Sequence, residues 1–268
     1  MNDFARWVAK NRMLAKILFS VVLCGCYSML LLLEVPVWIV IVVNCLTVFF
    51  VCLWADSSSG KLLMEPLRML SDQCDPYPLL EETALQLTYG FKGTMLQQLQ
   101  INHALALRET GQYQRSWELL SSINIDHYNG TLPYVKFVYY CNLCDILTRL
   151  GRYPEADVWY QKAIQIYQAM PENKVKHQFR EAVEGMAADA WFRRGEYDKA
   201  LEYMKVRQPE KLNNRVDQAL LCARCFIAMG DKDGARQPLE YVITNGNRLH
   251  GATQARFLLG NLSKPAEK

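Results

Sequence analysis

Two apolar stretches dominate the first fifth of the chain. Ile17 to Leu33 and Val37 to Trp54 carry no charge, and between them stand only Glu34, Val35 and Pro36. Each approaches the roughly 20 residues that cross about 30 Å of hydrocarbon as a helix. They are apolar on every side rather than along one stripe, which marks lipid-facing helices over core helices. The short, proline-bearing connection predicts a tight hairpin with spans 17–33 and 37–54, its backbone groups satisfied within the helices. A cleaved leader does not fit, because a second apolar stretch follows at once with no small-x-small site between.

Polar positions around the hairpin set its orientation. Arg6, Lys10, Arg12 and Lys16 precede the first span, the turn has no cation, and Lys61 and Arg68 follow the second, so both ends are expected on the cytosolic side. Residues 3–16 put Phe4, Trp7, Val8 and Leu14 on one helical face and the four cations around the other, a pattern suited to the headgroup layer. Ser20, Cys24 and Ser28 recur every four residues as a small-residue stripe. Folding the hairpin about Val35 brings Asn44 to the depth of Ser28 and Tyr27, where its amide is expected to bond one of them. These four residues, Ser20, Cys24, Ser28 and Asn44, are the expected transmembrane packing set.

Beyond Ser57-Ser58-Ser59-Gly60, read as a flexible joint, apolar residues recur at spacings of three and four with breaks at Gly, Pro and Asn, and no strand run occurs. Residues 57–92 then comprise this linker and two helices, Leu62 to Gln73 and Pro78 to Tyr89, the second started by Asp75 as cap and Pro76 in the first turn. From 93 to 247 the pattern repeats. Gly111-Gln-Tyr113, Gly151-Arg-Tyr153, Gly195-Glu-Tyr197 and Gly230-Asp-Lys232 stand 40, 44 and 35 residues apart. Five residues after each glycine comes Ser116, Ala156, Ala200 or Ala235, and nine after comes Leu120, Tyr160, Met204 or Leu239. Seven before it stands Ala104, Cys144, Ala188 or Ala223, and four before it Leu107, Leu147, Trp191 or Phe226. Small residues let two antiparallel helices approach, large ones fill the space between pairs, and each glycine ends a first helix. Arg248 to Leu262, with Ala252, Ala255, Leu258 and Leu259 on one side, reads as a capping helix within residues 248–268.

This register resembles the tetratricopeptide repeat (TPR) family, whose period is 34 residues. GRYPEADVWYQKAI from Gly151 and GEYDKALEYM from Gly195 are the nearest to its pattern. Two intervals exceed 34 by six residues or more and the third by one, and Lys232 takes an aromatic slot, so regular superhelical pitch is not implied. The fold class is therefore all-α: an N-terminal two-helix transmembrane hairpin (residues 1–56 with the amphipathic segment), then a TPR-like α-solenoid. The irregular periods and the CDPYP segment are similar to bacterial membrane-anchored TPR proteins, implying an inner-membrane protein with a cytosolic repeat domain. The resemblance also implies that the first helix of each pair lines a groove for a protein or peptide. The matching positions are Gln98, Leu105 and Arg108; Val138, Asp145 and Arg149; Asp189 and Arg193; Asp217 and Arg224.

Composition narrows the chemistry. Residues 57–268 hold 26 Lys and Arg against 24 Asp and Glu, which gives no basic footprint for nucleic acid. None of the phosphate-loop, dinucleotide, zinc-protease or nucleophile-elbow motifs is present, so no enzyme, cofactor or small-molecule substrate is expected. Cys141 with Cys144 and Cys222 with Cys225 form two C-x-x-C pairs, a possible zinc set. Both lie within helices, two repeats apart in a solenoid expected to join only neighbours, so buried core thiols are the expectation and no metal. His103 reads as a packed or groove side chain, and His127 lies in an inserted loop. The partners expected are a protein or peptide at the groove and the bilayer along residues 17–54. The alternative is an accessory subunit of a transport or secretion complex, assembled through the hairpin.

Overall fold

A computed structural model describes residues 2–29, 35–126 and 132–262, and His127 lies outside them. Among the described residues there are fourteen α-helices and no strand. The chain divides into two compact units, Met1–Glu65 with Leu85–Phe91, and Pro66–Ala84 with Lys92–Lys268.

In the first unit, α1 (Asn2–Lys10) and α2 (Arg12–Ser28) meet at Asn11, whose Nδ2 donates back to the Trp7 carbonyl at 3.1 Å. Helix α2 thus begins five residues before the predicted span, and residues 30–33 of that span lie outside the described set. Helix α3 (Val37–Gln73) is, among the described residues, the one helix long and apolar enough to cross a membrane. It runs unbroken through Ser57–Gly60, where the sequence predicts a joint. A small polar residue need not end a helix when its hydroxyl is satisfied on the preceding turn, and Ser57 Oγ donates to the Trp54 carbonyl at 2.9 Å. Val8, Ala15 and Ala55 form a small core beside Phe19 and Trp54, whose rings meet edge to face at 5.3 Å. Along α2 and α3, Ile17, Leu18, Val21, Ile41, Val42 and Phe49 turn outward. Polar residues here bond their own helix: Ser28 Oγ donates to the Cys24 carbonyl at 2.8 Å and Asn44 Nδ2 to the Val40 carbonyl at 2.9 Å. Asn44 therefore bonds neither Ser28 nor Tyr27, contrary to expectation. Ser20 and Cys24 are half-buried and Ser28 is exposed.

In the second unit four helix pairs follow one another: α5 (Gly93–Glu109) with α6 (Tyr113–Ser121), α7 (Pro133–Arg149) with α8 (Tyr153–Ala169), α10 (Arg180–Arg193) with α11 (Tyr197–Val206), and α12 (Leu212–Ala228) with α13 (Lys232–Asn245). A short α9 (Lys174–Gln178), capped by Asn173 Oδ1, accounts for part of the longest repeat interval. Each pair turns by the same device. Gly111, Gly151, Gly195 and Gly230 all have φ between 73° and 83°, and the residue after each donates its N–H to the carbonyl of Leu107, Leu147, Trp191 or Phe226. That left-handed C-terminal turn satisfies carbonyls the helix leaves open and suits only glycine at low cost. The small positions are sealed at the crossing, with Ala104, Ser116, Ala156, Ala188, Ala200, Ala223 and Ala235 fully buried. Ser116 Oγ donates across the first pair to the Ala104 carbonyl at 2.5 Å.

Within this unit the solenoid also contacts itself beyond neighbouring pairs. Helix α14 (His250–Leu262) packs on α13 and reaches the turn of the first pair: the His250 and Tyr113 rings meet edge to face at 5.5 Å, and Gln254 Nε2 donates to Tyr113 Oη at 3.4 Å. Just before it, Arg248 N donates to the Cys74 carbonyl, Arg248 Nη1 pairs with Asp75 at 3.2 Å, and the guanidinium lies 4.0 Å from the Tyr77 ring centre. The expectation that each repeat touches only its neighbours is thereby corrected.

Candidate functional site

The first helices of the four pairs each turn charged side chains towards one cleft. Arg108 closes α5, Asp145 and Arg149 lie one turn apart at the end of α7, Asp189 sits on α10, and Asp217 and Arg224 sit on α12. All six line one cleft of about 160 Å³, joined by Glu181 and Arg207. Six of the ten groove positions expected from the sequence therefore converge. Gln98 and Leu105 are half-buried on α5 away from the cleft, and Val138 packs against the core of the first two pairs. Arg193 points elsewhere: its side chain is fully buried, with Nη2 2.7 Å from Asp157 Oδ1 and Nη1 3.2 Å from Thr148 Oγ1. It ties the second pair to the third.

The cleft is held by a chain of ion pairs. Arg108 pairs with its neighbour Glu109 and reaches Asp145 Oδ2 at 2.8 Å, while its Nη1 also donates to Asn142 Oδ1 at 3.0 Å. Arg149 bonds Asp145 Oδ1 at 3.2 Å and Asp217 Oδ1 at 3.1 Å. The last bond joins the second pair to the fourth. Glu181 accepts from Asn214 Nδ2 at 2.6 Å and from the Glu210 amide at 2.8 Å, and Arg207 Nη2 donates to the Glu181 carbonyl at 2.7 Å. Arg224 lies 4.5 Å from the Phe192 ring centre.

Crowding shifts the acids apart. Burial acts to raise Asp145, yet Arg108 and Arg149 on either side hold it below the ordinary carboxylate value. Burial, with Glu109 and Asp145 nearby, lifts Asp217 to about 7 against the pull of Arg149. Asp189 is raised by burial and by Asp145. The cleft thus gathers charges of both signs, an arrangement suited to recognising complementary charge.

Glu109, Glu181 and Arg207 were missed by the sequence reading. Glu109 follows Arg108 directly on α5 and pairs with its guanidinium. Arg207 lies after the end of α11, in a loop with no repeat register. The cysteines lie in apolar packing: Cys144 belongs to the core of the first two pairs, and Cys222 Sγ is 3.6 Å from Met204 Sδ. Burial pushes the Cys144 and Cys225 thiols up to about 12 and Cys222 to about 11, and metal binding requires the thiolate. Among the described residues no group of three or more His, Cys, Asp or Glu side chains is placed to hold a metal. His103 Nδ1 lies 2.8 Å from Thr83 Oγ1, in a half-buried packing position.

Comparison with curated proteins finds no match. Residues 138–170, which cover most of α7 and all of α8, match the tetratricopeptide repeat family model, and this match supports the TPR resemblance drawn from Gly151 to Ile164. TPR domains generally bind protein partners and serve as scaffolds rather than catalysts.

Proposed function

We propose that the chain is a membrane-anchored TPR-type scaffold of the bacterial inner membrane, with residues 17–54 crossing the bilayer as a hairpin and the repeat unit on the cytosolic side, binding a protein partner at its charged cleft. The observation that carries this reading is the convergence of Arg108, Asp145, Arg149, Asp189, Asp217 and Arg224, from all four first helices, on one cleft. A cleft of about 160 Å³ is smaller than the roughly 300–1,000 Å³ of small-molecule sites. It suits one inserted side chain of a partner lying across the helix ends, not a whole helix laid along a groove. Binding by the repeat unit, with the membrane holding it in place, works by raising local concentration. For the alternative, assembly through the hairpin, Ser28 bonds a carbonyl of its own helix, while Asn44 bonds one through Nδ2 and keeps a buried Oδ1 without a donor, so Asn44 is the residue that would carry such an assembly.

The test is photocrosslinking in native membranes from a reactive residue at Arg224, on the intact protein and on Arg224 with Asp145→Asn added. Capture of one discrete protein, lost when Asp145 is neutralised, is expected. The same measurement with the reactive residue at Asn44 is the comparison, and capture from Asn44 alone would put the hairpin in the leading role.

A further inference from the structure

In the first unit α1 does not stand apart from the two apolar helices. The chain leaves helical backbone at Asn11 (φ −111°, ψ 36°), Val8 and Ala9 are buried, and the Phe4 ring meets those of Phe19 and Trp54 at 6.1 Å each. The three rings close one end of a groove of about 510 Å³ between α2 and α3. Phe19, Leu23 and Tyr27 recur every four residues along its α2 wall, and Thr47, Val51 and Trp54 follow one another by helical turns along its α3 wall. Val51, 8% exposed, forms the floor and Phe50, 62% exposed, the rim, so the groove lies open along one side. Apart from Tyr27 the lining is apolar, because Thr47 Oγ1 already donates to the Val43 carbonyl at 2.8 Å. Tyr27 lies about 15 Å along a helix from Ile17, against a hydrocarbon thickness of about 30 Å, so the groove runs from the expected interface to the middle of the bilayer. Beyond Thr47 the same face of α3 closes, with Val43 half-buried and Val40 buried. A third helix crossing the whole bilayer would need that face to continue, and Phe4 lies across the end it would leave by. One lipid chain from a single leaflet matches the length and needs neither.

We infer that this groove holds one acyl chain of a phospholipid from the cytosolic leaflet, with the lipid phosphate on the side of Lys16 and Lys61. The inference rests on the membrane-anchor reading and names one lipid position within it. Lys16 stands one turn before Phe19 on α2, and Lys61 two turns after Trp54 on α3, so both lie on the interface side of the ring cluster. Residues 1–16 and 55–65 together carry five cations against Asp3, Asp56 and Glu65, an excess that favours a phosphate at this depth. Lipid tails are as apolar as the groove, so no hydrophobic force draws a chain in, and its residence depends on close packing. A flexible chain fills a groove that the side chains of α2 and α3 leave open, and it gains dispersion contacts on three sides where a lipid on the outer face of either helix gains them on one.

The experiment places the full chain in vesicles of phosphatidylcholine and phosphatidylglycerol with a trace of phosphatidylglycerol carrying a diazirine near the middle of one acyl chain, and maps the photoadducts by mass spectrometry. Adducts at Leu23 and Val51 are expected at about five times the yield at Val22 and Phe49, which face outward at the same depth. Leu23→Trp, which fills the groove, should lower the Val51 adduct by a similar factor and leave Val22 and Phe49 as they were. Lys16→Gln combined with Lys61→Gln should lower the groove adducts about fivefold, the scale of one lysine at a lipid surface. Equal yields at groove and outward positions would mean ordinary surrounding lipid and overturn the inference, as would a Val51 adduct that survives Leu23→Trp or groove adducts indifferent to the two lysines. Labelling of Val22 and Phe49 without the groove leaves the anchor reading standing and removes the site. If no residue of 17–54 is labelled, both fall together.

Discussion

At the residue scale the four turn glycines look interchangeable in sequence and are not. All hold left-handed backbone, which costs a non-glycine residue about 1–2 kcal/mol. Gly111 alone among them also lies under another side chain, where an added Cβ would stand 2.4 Å from His250 Nδ1. Gly111→Ala should therefore cost the backbone strain and a further 1–3 kcal/mol or so of overpacking, whereas Gly151→Ala, with open space around its Cβ, should cost the strain alone. Thermal unfolding of the two variants side by side checks this, and equal losses would mean that His250 yields freely. Arg193 makes a second contrast. Its guanidinium is enclosed and bonded to Asp157 and Thr148, so Arg193→Met should destabilise by about 1.5–3 kcal/mol through hydrogen bonds to a charged group. It should leave partner capture from the cleft unchanged. Arg193 stands two residues before its turn glycine, as Arg149 does, yet Arg149 lines the cleft and Arg193 turns to the neighbouring pair, so register alone does not decide which of the two faces the cleft.

At the element scale the short-range pattern was legible and the long-range pattern was not. Glycine turns and small crossing residues follow from local rules, so the four pairs stand in the order that the spacings imply. Serine and glycine at 57–60 misled, because in isolation they mark a loop, while here their place in the middle of a long helix leaves each turn hydrogen-bonded. Nothing in the spacing of Arg248 or His250 announces Asp75 or Tyr113 as partners, since those contacts join segments far apart in the sequence. Helix α14 is accordingly expected to act as a clasp rather than only a cap. Truncation before Arg248 should raise hydrogen exchange at residues 73–77 and 111–114, which lie far from it in sequence, while α8 keeps its protection. Faster exchange confined to α13 would show that the clasp contributes nothing to the distant segments.

At the scale of the whole repeat unit the cleft makes stability depend on pH, and the sign follows from which acids are raised. Asp217 rests at about 7 in the fold against an ordinary 3.8, and Asp189 moves in the same direction. Between those values the folded chain keeps a proton that the unfolded chain has released, so stability is greatest below about pH 4 as far as Asp217 is concerned and declines as pH rises towards 7. Asp145 acts oppositely: held low by Arg108 and Arg149, it contributes stability above its ordinary value that is lost only as pH falls through the folded value. The two windows do not overlap, which makes the decline between pH 4 and 7 a signature of Asp217 and Asp189 rather than of the network at large. Asp217→Asn keeps an acceptor for Arg149 and removes the titration, so it should flatten most of that decline and raise stability at pH 8 relative to pH 5. Free energies from hydrogen exchange in α7 and α12, at several pH values and corrected for intrinsic rates, read this directly. An unchanged slope in the variant would mean that solvent reaches Asp217, a third of whose side chain is exposed, well enough to relieve the crowding.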